Sequence, residues 1–499
     1  MIHKTKDIGF FWQPLGGNNI DQYSGHCYHY FNIEKSEGGN FFETSIIIDM
    51  GKFDNHQAFG IENSVAAVPD VRALLQGEYK AKAIFLTHSH PDHLNGILHY
   101  LKAGYKLPPL FAGKYTFLIL EDLLKSFNVS KKDYPEFHII KDGDKIQVGN
   151  IDVEVISASH TCFDSFGFIL KTKETSLYHT GDMKIDASTY FRKPTNITRL
   201  RELKDEIRFV VADFCQIHQS GYTPKESDTF NKIVSLIKKS RKKKIFIPVY
   251  PTHPEMYLLA FLSALKTKKN VIFYGNKDFY TYLDLIIEYG ISFSKMAENK
   301  IQVLYKTSDD IIKLDDNFVV IGTFNDLHSS FEATSKDSYG IVTAKNYFSQ
   351  LRFQMEEKDI KYTDNHQTPE LQGYGHGFIK DYEKINEVLE GPLFIPTHSP
   401  AFMIENFRQV AKLINMKLIE ETPLNNNIYK ISGNNVEKIY SKPAKWLIVT
   451  YQDDIASLIE VFQKPTAGKG NIKSTASNRK SIRYIKSYLC KLARMKNDE

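Results

Sequence analysis

Short apolar runs that close on a turn of small or polar residues recur along the chain. Ser45-Ile46-Ile47-Ile48 closes on Asp49, and Ala83-Ile84-Phe85-Leu86 closes on Thr87-His88-Ser89-His90. Ile151–Ile156, with alternating apolar and charged positions, runs into Ser159-His160-Thr161. Thr175–Thr180 runs into Gly181-Asp182, and Pro392–Pro396 into Thr397-His398-Ser399. Their length and period read as buried or half-buried strands. After the second run, Pro91 suits a first helical position, and Leu94, Ile97, Leu98 and Leu101 follow at helical spacing. Strand and helix patterns alternate in this way through about residue 210, as in one half of an α/β sandwich.

From Tyr222 the rhythm changes. Lys244–Val249, Asn270–Tyr274 and Asn317–Ile321 read as buried strands, with helical patterns at about Glu255–Lys266 and Phe279–Tyr289 between them. This is the pattern of a small doubly wound α/β unit. Thr252 suits an N-cap, with Pro254 in the first turn. After an irregular charged stretch from Phe353 to Pro369, Asn425–Tyr440 reads as a closing hairpin. No internal repeat is visible.

The chemistry sits on the strand ends. His88, His90, Asp92 and His93 put four metal-ligand side chains within six residues. His88 and His90 share a face if the strand geometry continues past Leu86. Asp92 and His93 then open a helix facing that pair, so one ion and the beginning of a second are provided for. His160, Asp182 and His398 each follow another strand, and Gly181 lets the backbone approach closely. The other histidines, His26, His29, His56, His138, His218, His328 and His366 among them, follow no strand end and read as structural or surface residues.

The series His88-x-His90-x-Asp92-His93, His160, Asp182 resembles the metallo-β-lactamase superfamily, with Asp49 similar to an early aspartate that orients the metal loop. Leu15-Gly16-Gly17, Thr180–Asp186, Asp213 followed by Gly221-Tyr222-Thr223-Pro224, Gly375-His376-Gly377 and Phe394–His398 resemble its β-CASP nuclease branch, and within it ribonuclease J, over roughly residues 10 to 430. The resemblance implies an αββα sandwich with an inserted α/β β-CASP domain. Residues 1–220 and 371–440 would form the metallo-β-lactamase domain and 221–370 the insert, with 441–499 a basic linker and amphipathic C-terminal helix. It implies that His88, His90 and His160 hold one zinc ion, that Asp92, His93 and His398 hold the other, and that Asp182 bridges them. Mn2+ or Mg2+ are alternative metals. His376 would stabilise the transition state or protonate the leaving group, and Asp213 would orient His376 or a ligand. The implied activity is hydrolysis of RNA, single-stranded by preference, by exo- or endonucleolytic cuts.

The chain departs from ribonuclease J in places. Asp213-Phe214-Cys215-Gln216 stands where Asp-Ser-Thr-Asn is typical, and Gln372-Gly373-Tyr374-Gly375-His376 replaces a His-x-Ser-Gly-His stretch that helps to hold a 5′ phosphate. The glycine-rich phosphate loop is represented only by Gly322-Thr323-Phe324-Asn325-Asp326. A β-CASP nuclease acting on DNA, a small-molecule hydrolase and a non-catalytic scaffold are the competing readings.

Composition bounds the rest. With 499 residues, 42% hydrophobic and 25% charged, the chain has room for two or three domains of ordinary globular character. No stretch approaches the ~20 apolar residues of a membrane span, and no apolar core follows Met1–Asp7 as in a secretory signal. The scattered Cys27, Cys162, Cys215 and Cys490 fit reduced thiols in a cytoplasmic protein, with packing roles. The net charge of +5 is concentrated at the end, since Val461–Asn497 has no acidic residue. Lys464–Ser481 reads as a linker. Ile482, Ile485, Leu489 and Leu492 mark a basic amphipathic helix that suits a homodimer or larger oligomer, a phosphate backbone or a membrane surface.

Overall fold

A computed structural model describes residues 7–462 apart from 19–23, 54–60, 62, 78–79, 308–316, 324–337, 344–352, 354, 357–358, 365–366, 372, 442, 444 and 453–454. Two sheets face each other at its centre. The first has eight strands, in spatial order Asn435–Tyr440, Ile428–Ser432, Gly9–Gly16, Cys27–Lys35, Phe41–Ile48, Ala83–Phe85, Leu110–Ala112 and Phe137–Ile139. The second has seven, in the order Lys417–Leu418, Leu393–Thr397, Phe209–Asp213, Ser176–His179, Phe166–Lys171, Ile151–Ser157 and Lys145–Val148.

The period of two divides each strand between layers. Phe209 and Val211 join Trp12, Tyr30, Ile48, Phe85, Val155, Phe168 and Ile395 in the core between the sheets. Val210 and Ala212 face the other way, onto Ile379, Tyr382, Phe407 and Val410 of the helices Ile379–Val388 and Ala401–Leu413. Ile47 and Ile84 face the outer helices Gly96–Lys102 and Lys114–Ser126. The result is the four-layer helix–sheet–sheet–helix sandwich expected from the sequence, with the hairpin at Ile428–Ser432 and Asn435–Tyr440 extending the first sheet.

The insert is a six-stranded parallel sheet, ordered Val303–Thr307, Asn270–Gly275, Phe318–Gly322, Lys244–Pro248, Ser338–Val342 and Tyr362–Asp364. Helices Glu226–Lys239, Pro254–Lys266 and Lys277–Tyr289 pack on one face through Ile237, Tyr257, Phe261 and Leu283. The second face carries Phe246, Ile272, Tyr274 and Val320. The connections at 308–316, 324–337 and 344–352 lie outside the described residues, as does Phe324–Asp326 of the expected phosphate loop. Insert and sandwich meet where the Tyr289 ring stacks on Phe163 at 4.9 Å and its hydroxyl donates to Asp164 Oδ1 at 2.8 Å.

Two expectations are corrected. His253, not Thr252, occupies the N-cap position before Pro254, and it makes no side-chain cap bond. The stretch 441–499 is not only linker and helix. Lys445–Gln452 and Ile455–Phe462 form an antiparallel hairpin, and its first strand pairs with Ala66–Pro69. Trp446, Leu447, Ile448 and Val449 are fully buried there, which supplies the driving force. The linker and basic helix expected from Lys464 lie outside the described residues. Among the described residues, no helix is long and apolar enough to cross a membrane.

Candidate metal centre

The strands that carry the candidate ligands all end on one edge of the sandwich. Phe41–Ile48 and Ala83–Phe85 run parallel, so Asp49 and the His88 turn leave side by side. In the second sheet, Ser176–His179, Phe209–Asp213 and Leu393–Thr397 are parallel and release Asp182, Asp213 and His398 together. Ile151–Ser157 delivers His160 to the same place. Pro91 opens the short helix Pro91–Leu94 with Asp92 in its first turn, which turns Asp92 and His93 back toward the strand ends.

All seven candidate ligands converge. His88, His90, His160 and Asp182 place their donor atoms within 4.8 Å of one another. Asp92, His93 and His398 form a second group with the same spread, and a fourth member, His26, belongs to it. Asp182 lies between the two groups. Its Oδ2 is 3.3 Å from His93 Nε2 and 3.7 Å from both His88 Nε2 and His160 Nε2, and its Oδ1 is 2.9 Å from His398 Nδ1. Four donors held at 2.0–2.2 Å from an ion stand about 3.3–3.6 Å apart in a tetrahedron, so this spacing fits metal ions. The chemistry of the donors agrees. The Nε2 atoms of His26, His88 and His93 are fully buried and make no hydrogen bond, an arrangement that costs stability unless something occupies the space they face.

The ring orientations are set from behind. Asp49 accepts from Thr87 N at 2.8 Å and sits 2.8 Å from His93 Nδ1, so the Nδ1 proton is held there and Nε2 faces inward. Burial would lower the His93 pKa, but the charges of Asp182, Asp49 and Asp92 outweigh it and raise the value well above the usual range. The Thr87 hydroxyl donates to Asp49 Oδ2 at 2.8 Å and receives His88 Nδ1 at 2.9 Å, which orients that ring in the same sense. His160 Nδ1 donates to the Gly375 carbonyl at 2.9 Å. His90 is reversed: Nε2 reaches Thr161 Oγ1 at 3.3 Å, and Nδ1 lies 3.1 Å from His160 Nε2. Gly375 is required at its position, because a Cβ there would lie 2.4 Å from His160 Cε1.

His376 stands at the rim, about one-quarter exposed, with Nδ1 2.7 Å from Asp213 Oδ2. Asp213 Oδ1 is also 3.4 Å from His398 Nδ1, so the carboxylate lies beside both His376 and the candidate ligand His398. Burial alone would lower the His376 pKa, but the charges of Asp213 and Asp182 outweigh it and raise the value to about 9. Burial, reinforced by neighbouring imidazoles, holds His88 well below the usual range. Burial also lowers His90, to about 4, and His160, keeping their lone pairs available. Burial opposes ionisation of Asp182, yet the charges of His398, His93 and His376 overcome it and hold its pKa well down.

A cleft of about 340 Å³ lies over this edge, lined by His90, Asp92, Tyr250, His253, Tyr374 and His376 among others. Tyr250 and His253 come from the loop after the insert strand Lys244–Pro248, so both domains build the cleft. Two residues of this region escaped the sequence reading. His253 places its ring 5.3 Å from that of His90. His26, which follows no strand end and reads from the sequence as a structural or surface residue, is fully buried among Asp92, His93 and His398. It precedes its strand, Cys27–Lys35, but that strand is antiparallel to Phe41–Ile48, so its start lies beside the other strands' ends. Cys162 and Cys215 are buried; Ser89 Oγ donates to Cys162 Sγ at 3.3 Å.

Known proteins place this geometry in context. Residues 65–214 match the model of the β-lactamase superfamily domain. Ribonuclease J of Sinorhizobium meliloti is 29% identical over 194 residues, covering 38% of this chain and 33% of that protein. Ribonuclease J of Helicobacter pylori (strain 26695) is 30% identical over 219 residues, covering 42% and 30%. Ribonuclease J 2 of Staphylococcus aureus (strain MRSA252) is 26% identical over 226 residues, covering 45% and 37%. The matched segments thus span about a third of these relatives' length. A crystal structure of a protein of unknown function from Enterococcus faecalis V583 superposes with a TM-score of 0.57 at 16% identity, covering 85% of this chain and 100% of that one, which extends the likeness of fold beyond the matched segments.

Proposed function

We propose that the protein is a metal-dependent ribonuclease of the ribonuclease J type, hydrolysing phosphodiester bonds of single-stranded RNA with two bound zinc ions. The observation that carries this reading is the convergence of His88, His90, Asp92, His93, His160, Asp182 and His398 on two adjoining sets of donors under an open cleft. Similarity to proteins named ribonuclease J supplies the substrate class. An imidazole-rich shell favours zinc over Mn2+ or Mg2+. His88, His90 and His160 would hold one ion and Asp92, His93 and His398 the other, with Asp182 between them. The chemistry such ions would supply is a bound water of pKa lowered toward ~7 and neutralisation of phosphodiester charge.

The chain's own residues supply the rest. Asp182 bridges the two donor sets. Asp49 and the Gly375 carbonyl fix ring orientation so that lone pairs are preorganised before any ion arrives. His376 reaches the cleft while Asp213 holds its Nδ1 proton. Its protonated form suits donation to a leaving oxygen or stabilisation of developing negative charge. Tyr374, on the cleft wall, offers a ring for stacking on a base.

The test is zinc-reconstituted protein on end-labelled RNA and DNA of one sequence. Cleavage of RNA that chelator abolishes and zinc restores is expected. Equal cleavage of DNA would replace the ribonuclease reading with a general nuclease, and no cleavage of either by protein holding two ions would refute it.

A further inference from the structure

We infer that His26 is an additional protein ligand of the second metal position, which the seven-residue pattern read from the sequence does not include. Its ring is fully buried and lies 4.2 Å from the ring of His93 and 3.9 Å from that of His398. Nε2 points at Asp92 Oδ2 from 3.6 Å, close to the spacing of two donors on one ion, and makes no hydrogen bond. The opposite nitrogen is anchored, since Nδ1 lies 2.9 Å from the Tyr28 hydroxyl. That is the support from behind that ligating imidazoles require. The backbone is tied to the same loop: His26 N donates to the Asp92 carbonyl at 2.7 Å, and Gly51 N donates to the His26 carbonyl at 2.9 Å. Gly17 leaves room for the pair, because a Cβ there would lie 2.5 Å from both His26 Nδ1 and Tyr28 Oη.

The second position then offers His26, His93 and His398 with Asp92, besides the shared Asp182. Three imidazoles there strengthen the preference for zinc over manganese or magnesium.

The inference rests on the two-ion reading, and the experiment separates the two. Wild type, His26→Phe and His26→Ala are stripped of metal, compared by circular dichroism and thermal unfolding, and titrated with Co2+. The phenylalanine variant keeps a ring between His93 and His398 but offers no donor. Wild type should take two ions. The variants should keep the first and bind the second about 100-fold more weakly or worse, beyond the ~10–100-fold typical of groups that only orient a ligand. Independently of any variant, the Co2+-loaded wild type should show six shifted, exchangeable imidazole N–H proton signals. Five such signals, or a second-site loss below ~100-fold in a folded variant, would overturn the role of His26 and leave two ions standing. Wild type that takes no Co2+ would overturn the two-ion reading, and this one with it.

Discussion

Asp49→Asn should impair the second metal position while leaving the chain folded. Asp49 is fully buried, and its two oxygens are not equivalent. Oδ1 accepts the Thr87 backbone N–H at 2.8 Å and the Thr87 hydroxyl at 3.1 Å, whereas Oδ2 faces His93 Nδ1 and the Thr87 hydroxyl, each at 2.8 Å. An asparagine must keep its carbonyl at the Oδ1 position, since an amide NH2 cannot accept the backbone N–H. Its NH2 then faces His93 Nδ1, which can only accept, and the imidazole proton moves to Nε2, into the space enclosed by Asp92, His93 and His398. Binding the ion requires the proton back on Nδ1, leaving two donors face to face. A buried donor left without an acceptor costs ~1–3 kcal/mol, or about 5- to 150-fold in affinity at 1.4 kcal/mol per decade. Asparagine also tolerates the left-handed backbone of this residue (φ 60°), so the turn itself survives. The assay is Zn2+ competition with a chromophoric chelator at fixed pH, alongside circular dichroism. Second-site affinity within about twofold of wild type would refute the argument that Asp49 sets the tautomer.

Gly375→Ala should force the His160 ring aside at a cost of ~1–3 kcal/mol and reduce occupancy of the first position, as elemental analysis after dialysis would report. His376→Ala should keep near-wild-type metal content and lose ~10²-fold or more in RNA cleavage; loss of metal together with activity would make His376 a ligand instead. Asp381→Ala should lower stability by ~3–5 kcal/mol, because the carboxylate accepts from Ile185 N and Phe378 N at 2.9 Å and from Thr223 N and Oγ1 at 3.0 and 2.7 Å; a thermal midpoint within 2 °C of wild type, taking ~2–4 °C per kcal/mol for large domains, would refute this. RNAs differing only in 5′ monophosphate, triphosphate or hydroxyl should be cleaved at initial rates within tenfold, since Tyr374 stands where ribonuclease J has polar residues; a larger preference for the monophosphate would show that other groups rebuild the pocket.

What the sequence made legible was local. An apolar run, a small-residue turn and a ligand in succession mark His88, His160, Asp182 and His398 without knowledge of the partner strands. His26 was hidden because its relation to the site passes through antiparallel pairing: Tyr28 aligns with Ile48, twenty residues away, and only that register brings the start of one strand to the end of another. The hairpin at Lys445–Phe462 was hidden for a similar reason, since its neighbour Ala66–Pro69 is a four-residue strand nearly four hundred positions upstream. Its apolar run Trp446–Val449 is visible in the sequence, but nothing near it in the chain marks Ala66–Pro69 as its partner.

The backbone of the site carries a signal that composition alone does not. Three residues that leave strand ends here adopt left-handed conformations: Asp49 at φ 60°, Gly181 at φ 57° and His398 at φ 52°. Only the glycine is at ease there; for the others the conformation costs roughly 1–2 kcal/mol each, least for aspartate. At Asp49 the cost is met by three buried hydrogen bonds at 2.8 Å, from its own backbone N–H to Phe85 O, from Thr87 N and from the Thr87 hydroxyl, with His93 Nδ1 at the same distance. His398 is harder to account for by folding alone, since a glycine would relieve its turn. What a glycine cannot supply is the imidazole that stands 2.9 Å from Asp182 and 3.4 Å from Asp213, the carboxylate that also holds His376. A strained residue type kept at the junction of both donor sets is expected where function, and not local preference, selects the side chain.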